Sequence, residues 1–172
     1  NCDYNEGAHP RILETLVKTN MEQTPGYGED PYCEKAAKVI KNLCKREDAA
    51  VHFLVGGTQA NLTVISSILR PYQAVLCVEE GHINVHETGA LEACGHKVMT
   101  VSGKDGKIDA EQIKEVYTQH WSDSSHEHMT QPKLVYISNP TELGTMYSKT
   151  ELEAIRNACN ECGLYLFLDG AR

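Results

Sequence analysis

The strongest constraint on the fold is a regular alternation of short apolar runs and amphipathic segments through the last hundred residues. Three of the runs, AVLCV, LVYIS and LYLFL, are almost entirely apolar. Such runs are typical of strands whose sheet is covered by helices on both faces. Strands that alternate with helices form a parallel sheet, because each helix returns the chain to the edge where the next strand starts. The sequence therefore predicts a three-layer α/β fold with a mostly parallel sheet.

The periodicity of apolar residues gives the expected elements. We predict strands at residues 49–55, 74–78, 97–101, 133–138 and 164–168. We predict helices at residues 10–22, 32–46, 62–69, 84–93, 110–121 and 149–162. The polar stretch between Gln119 and Pro132 has the composition of an exposed loop.

The sequence shows no composition shift that would divide the chain, so we expect one domain with an N-terminal arm and helices over about residues 1–46. The apolar strand at residues 164–168 is followed by only four residues and no helix. A buried strand needs such a cover. We therefore expect the chain to be the front part of a longer protein.

Composition limits the possible partners and compartments. The 172 residues include 16 Lys and Arg against 24 Asp and Glu, a formal net charge of -8, which argues against nucleic acid as a partner. No apolar run approaches the roughly 18 residues of a membrane helix, and residues 1–10 are too polar for a secretory signal. The seven cysteines are an odd number, as expected for free thiols in a reducing compartment. These features predict a cytoplasmic protein.

A glycine-rich turn joins the predicted strand at residues 49–55 to the next helix. It reads Gly56-Gly57-Thr58-Gln59. Two glycines allow a ligand to approach closely, and the N-terminus of a helix attracts an anion, so the turn is a candidate phosphate site. The alternative is an ordinary tight turn in which Thr58 caps the helix.

Three further groups follow predicted strands or helices. His82 lies just beyond a strand, where open α/β sheets bind ligands, while His86 and Glu87 lack a well-placed third ligand, so we predict no metal. Asp169 ends the last strand, and its charge needs a partner, either a ligand or the nearby Arg172. The CxxC of Cys159 and Cys162 follows a helix rather than starting one, so we expect ordinary thiols.

Taken in order, the segments GYGEDPY, FLVGGTQANL, EEGHINVHETGA and LYLFLDGAR resemble the low-specificity threonine aldolases of the β-eliminating lyase family. The resemblance implies a pyridoxal-phosphate (PLP) enzyme with the aspartate-aminotransferase fold, of which this chain is the N-terminal part of the large domain. It also implies cleavage of a β-hydroxy-α-amino acid to glycine and an aldehyde, by a homodimer or homotetramer.

The resemblance assigns the cofactor residues. Gly57, Thr58 and Gln59 match the turn that holds the cofactor phosphate. His82 matches the residue that stacks on the pyridine ring, and Asp169 matches the carboxylate that pairs with the ring nitrogen. His82 and Asp169 are therefore expected to act in catalysis as well as in cofactor binding.

The resemblance also assigns the substrate residues. Arg172 matches the catalytic arginine that grips the substrate carboxylate, and Tyr27 matches a loop that lies near the active site of the neighbouring subunit. Glu142 falls near the place where better-known aldolases carry a histidine, which leaves the substrate open.

The lysine that carries the cofactor as a Schiff base in the family lies downstream of the DGAR segment, beyond this chain. Two other functions therefore stay open. One is a different PLP-dependent β-eliminating lyase or aminotransferase, and the other is a non-catalytic truncated α/β module.

Overall fold

The apolar runs form one parallel sheet in the computed structural model, which describes residues 5–170. The strands are β1 (Gln73–Val78), β2 (Lys97–Val101), β3 (Gln131–Ser138) and β4 (Tyr165–Asp169), in the spatial order β2-β1-β3-β4. All three strand pairs are parallel. The four strands predicted after residue 73 are thus confirmed to within two residues at each end.

The described residues fall into two compact units, one ending at Phe53 and the other starting at Leu54. The first unit contains helices α1 (Pro10–Thr19) and α2 (Pro31–Cys44). Each begins with a proline and is capped by a side chain, from His9 and Asp30 respectively. The single domain expected from the sequence stays a prediction.

The second unit contains the sheet and five helices: α3 (Gly57–Ile68), α4 (His82–Val85), α5 (Ala90–Ala93), α6 (Ala110–Ser122) and α7 (Lys149–Glu161). Helices α6 and α7 each start with a capping box, formed by Asp109 with Gln112 and by Ser148 with Glu151. A short 3-10 helix, His126–His128, interrupts the largely exposed loop after α6. No helix within residues 5–170 is long and apolar enough to cross a bilayer.

Two hydrophobic cores cover opposite faces of the sheet. Alternate residues of β1 and β3 point to opposite sides, as the period of a strand requires. One core joins Leu76 and Val135 to α6 and α7, and the other joins Val75 and Leu134 to α3 and the short helices α4 and α5. The predicted three-layer α/β fold is therefore confirmed.

Two predicted elements differ from the structure. Residues 49–55 form no strand, and Phe53, Leu54 and Val55 are 48%, 42% and 95% exposed, because apolar residues make a strand only where a neighbouring strand pairs with them. The helix predicted at residues 84–93 is broken into α4 and α5. Its break lies at Thr88 and Gly89, whose φ angles of 52° and 71° are left-handed and cannot continue an α-helix.

Candidate active site

Two of the candidate residues predicted from the sequence, His82 and Asp169, lie at the carboxyl edge of the sheet. Asp169 is the last residue of β4 and pairs in register with Ser138, the last residue of β3. His82 starts α4, four residues after the end of β1. Because parallel strands end at the same edge, the fold brings residues from distant parts of the sequence together there.

Asp169 receives two hydrogen bonds from neighbouring elements. The hydroxyl of Tyr136 donates to Asp169 Oδ2 at 2.6 Å, and the Asn61 side chain donates to the same oxygen at 3.4 Å. Donors of this kind stabilise the ionised form of a carboxyl group. Burial, and then the bond to Asp169, raise the pKa of Tyr136 well above its ordinary value, so this hydroxyl keeps its proton.

His82 is held by a buried carboxylate. His82 Nδ1 lies 2.9 Å from Glu87 Oε1, and Asn61 Nδ2 donates to that same oxygen at 2.7 Å. The Glu87 side chain is fully buried, whereas that of His82 is 37% exposed. Asn61 thus connects the two sides of the site, and we call Asn61, His82, Glu87, Tyr136 and Asp169 the carboxyl-edge cluster.

The glycine turn forms the start of α3. Gly56 is the N-cap and Gly57 the first helical residue, and no side chain caps the helix. A Cβ atom added at Gly56 or Gly57 would have no neighbour within 4 Å, so the space beside the turn is open. Thr58 lies inside the helix, so the alternative in which it caps the helix is wrong. The backbone N–H groups of this first turn are therefore placed to receive an anion.

Gln59 stabilises the turn from within α3. Its side-chain oxygen accepts a hydrogen bond from the backbone N–H of Val55 at 3.0 Å. This bond holds the chain that enters the helix, whereas contact of Gln59 with a cofactor stays a prediction. Asn61 follows two residues later on the same helix, and its side chain contacts Asp169.

Glu142 lies in the turn after β3 and is exposed. Ser138 Oγ lies 3.3 Å from Glu142 Oε1 and also 3.3 Å from the Tyr136 hydroxyl. Glu142 and Glu80 line a cavity of about 10 Å³, enough for roughly one water molecule. Glu142 is therefore connected to Asp169 through two hydroxyl groups.

The structure does not test two of the predicted residues. Tyr27 belongs to the first unit, where it is fully exposed with a left-handed φ of 63°, and its contribution to a neighbouring subunit stays a prediction. Arg172 lies outside the described residues, and so does its alternative role as an ion-pair partner of Asp169.

The remaining candidates have no arrangement for chemistry among the described residues. The His86 ring lies 5.5 Å from that of His82, and residues 5–170 contain no group of three or more potential metal ligands. Burial raises the pKa of Cys159 to about 11 and also raises that of Cys162, so both remain thiols near neutral pH.

Sequence reasoning missed Asn61, Glu87 and Tyr136 as parts of the site. Each is a polar side chain that is buried, at 3%, 3% and 1% exposure respectively. The signal available in the sequence was a polar group inside an apolar helix or strand, since such a group needs a partner.

Comparisons with known proteins identify relatives over nearly the whole chain. The family model described as Beta-eliminating lyase matches residues 7–172. A low specificity L-threonine aldolase of Pseudomonas sp. is 34% identical over 99% of this chain and 48% of its own length. A second, from Pseudomonas aeruginosa, is 30% identical over the same shares. The chain therefore spans about half the length of these relatives.

Solved structures agree with the sequence comparison. A threonine aldolase of Leishmania major superposes with a TM-score of 0.93 and 54% identity, over 99% of this chain and 48% of that one. A PLP-bound C-S lyase of Staphylococcus hominis, 17% identical, superposes with a TM-score of 0.66 over 95% of this chain and 41% of that one, and so shares the fold. The predicted resemblance and fold class are confirmed: this chain belongs to the beta-eliminating lyase family.

Proposed function

We propose that the protein containing this chain is a PLP-dependent aldehyde-lyase that cleaves a threonine-like β-hydroxy-α-amino acid to glycine and an aldehyde. The observation that carries the proposal is the hydrogen-bonded Asp169 at the carboxyl edge, linked through Asn61 to His82. The relatives named low specificity L-threonine aldolase support the same reaction. Within that protein, the chain forms the N-terminal part of the cofactor-binding large domain, with an arm and helices over about residues 1–46.

The residues present fit the cofactor. The uncapped first turn of α3, with open space at Gly57, suits the phosphate, with Thr58 and Gln59 beside it. His82 would cover the face of the pyridine ring, and Asp169 would pair with the ring nitrogen. When bound, PLP supplies an electron sink for the pair released as the Cα–Cβ bond breaks.

With the cofactor bound, the negative charge of Asp169 would favour a proton on the pyridine nitrogen by attracting the positive charge. Two unit charges 4 Å apart attract by about 4 kcal/mol at an effective dielectric constant of 20. This is equivalent to roughly 3 pKa units, before the cost of desolvation is subtracted. Tyr136 and Asn61 hold the Asp169 carboxyl group in place for this task, because both donate hydrogen bonds to its Oδ2 atom.

Three further residues are expected to bind the substrate. Arg172 would bind the amino-acid carboxylate through two parallel hydrogen bonds, which its planar guanidinium group allows. Glu142 would contact the substrate, and Tyr27 would contribute to the site of a neighbouring subunit. We therefore expect a homodimer or homotetramer.

The cysteines are consistent with our proposal of a cytoplasmic enzyme. All six cysteines within the described residues are free thiols. Free thiols are the usual state of cysteine in a reducing compartment. Neither nucleic acid nor membrane is expected as a partner.

Product analysis of the full-length protein tests the function. We would incubate it with PLP and, separately, threonine, allo-threonine and phenylserine, and quantify glycine, aldehyde, 2-oxo acid and ammonia. The proposal predicts equal amounts of glycine and aldehyde from at least one substrate. A 2-oxo acid without glycine would instead indicate β-elimination or transamination, and a protein without bound cofactor or product would indicate the non-catalytic module.

A further inference from the structure

We propose that Glu87 is a positioning residue that keeps the neutral His82 ring protonated on Nδ1 and thereby leaves Nε2 as the proton-accepting atom of the site. The preference for this tautomer rests on the geometry of the chain's own residues. Its use during catalysis rests on the proposed function.

The hydrogen-bond pattern around Glu87 fixes the donor. Glu87 Oε1 already accepts a hydrogen bond from Asn61 Nδ2 at 2.7 Å, and the same oxygen lies 2.9 Å from His82 Nδ1. A carboxylate has acceptor atoms alone, so Glu87 Oε1 accepts from both neighbours and the proton of this contact lies on His82 Nδ1.

Asn61 fixes Glu87 in turn. An amide NH2 group has two hydrogens, and Asn61 directs one towards Glu87 and the other towards Asp169. Asn61 is itself buried on α3, so its amide cannot turn away without removing one hydrogen bond from each carboxylate and leaving its own NH2 group without these acceptors. This arrangement orients His82 and Asp169 relative to each other through one side chain.

The tautomer matters because the two ring nitrogens have opposite roles. A neutral imidazole has one N–H and one lone pair, and the hydrogen bond made by one nitrogen decides the state of the other. With Nδ1 bound to the buried Glu87, the lone pair lies on Nε2 of a ring whose side chain is 37% exposed. A ring with the opposite tautomer would present an N–H there and could not accept a proton.

Nitrogen-15 NMR of the histidine side chains tests the tautomer without cofactor. Spectra of the full-length, cofactor-free protein would be recorded at a pH where the ring is neutral, with His82→Asn used to assign the resonances. We expect the Nδ1–H form in the wild type. Glu87→Gln keeps an acceptor oxygen and should retain this form, whereas Glu87→Ala should switch the ring to the Nε2–H form.

Glu79→Gln is the matched control, because it removes an exposed carboxylate from the same loop and should leave the tautomer unchanged. An Nε2–H ring in the wild type would overturn the proposal, even if Glu87→Ala fails to fold. Retention of the Nδ1–H form in a folded Glu87→Ala protein would also overturn it.

Kinetics of the PLP-loaded enzyme provide a second test, which concerns the use of this tautomer in catalysis. Glu87→Ala should lower kcat by about 10²- to 10⁴-fold, the size expected when a general base is lost or holds the wrong tautomer, with little change in KM. Glu87→Gln should restore most of kcat, and a Glu87→Ala enzyme with wild-type kcat would contradict the catalytic use of the tautomer. If the wild-type enzyme does not cleave threonine-like substrates, the proposed function fails, while the NMR result still decides the role of Glu87.

Discussion

Tyr136 is a buried residue that forms a hydrogen bond with Asp169. Its hydroxyl donates to Asp169 at 2.6 Å from a side chain that is 1% exposed. We predict that Tyr136→Phe lowers the free energy of unfolding by about 1–3 kcal/mol, because it removes a buried hydrogen bond to a charged group. Urea unfolding monitored by circular dichroism measures this difference.

The matched control is Tyr165→Phe, on the neighbouring strand, where the tyrosine is 50% exposed. We expect it to change the free energy of unfolding by less than about 0.5 kcal/mol. Equal destabilisation by the two variants would show that the Tyr136 hydroxyl has no special role.

The sequence patterns identified His82 and Asp169 as members of the cluster, but they did not identify Asn61. Asp169 and His82 could be identified because one ends an apolar strand and the other lies four residues beyond the end of one. Asn61 could not, since its partners Glu87 and Asp169 lie 26 and 108 residues away in the sequence. Contacts at such separations exist only after the sheet and α3 are packed together.

A substitution in the first turn of α3 can distinguish an effect on cofactor binding from an effect on folding. A methyl group at Gly57 would contact nothing within 4 Å, and alanine is a better helix former than glycine. Gly57→Ala should therefore leave the cofactor-free protein as stable as the wild type or more stable by up to about 1 kcal/mol. It should weaken PLP binding by about tenfold, because the methyl group occupies the space proposed for the phosphate.

Thermal unfolding and PLP titration of the full-length protein measure the two effects separately. Ser66→Ala, at an exposed position further along α3, is the control and should change neither. Unchanged PLP affinity in Gly57→Ala would contradict the proposed phosphate site.

The apolar pattern predicted helices and strands correctly where the packing of the folded chain buries the same residues. The buried strands β1 and β3 lie within two residues of their predicted ends, because a doubly covered strand must be apolar throughout. The prediction from the apolar pattern was wrong at residues 49–55, where no strand forms. It also failed between α4 and α5, where left-handed residues at Thr88 and Gly89 stop the helix that the apolar pattern favoured.

The whole molecule should lose stability in alkaline solution. Burial raises the pKa of Cys77 to about 12, of Cys159 to about 11 and of Tyr147 to about 12. Unfolding exposes these groups, which then ionise near the ordinary pKa values of 9.0 for thiols and 10.0 for tyrosine. The unfolded chain therefore binds fewer protons above pH 9, and the free energy of unfolding falls as the pH rises from about 9 to 12.

Urea unfolding at pH 8 and pH 10.5 measures this loss. Cys77→Ala removes one of the buried thiols and should make the pH dependence shallower, although it also lowers stability at both pH values. Cys94→Ala, at an exposed position, is the matched control and should leave the slope unchanged. A free energy of unfolding that stays constant or rises over this interval would contradict the role assigned to the buried thiols.

The central claim is that the carboxyl-edge cluster carries aldol cleavage, and Asp169→Asn tests it most directly. The rate of aldehyde release by the full-length, PLP-loaded enzyme would be measured for the wild type, Asp169→Asn and the control Asp105→Asn. Asp105 is an exposed residue with a left-handed φ of 54°, a conformation that asparagine tolerates. We predict that kcat falls by about 10²- to 10³-fold in Asp169→Asn, in line with the loss of most of a charge interaction of about 4 kcal/mol, and that it is unchanged in the control. Aldehyde release by Asp169→Asn at the wild-type rate would contradict the claim.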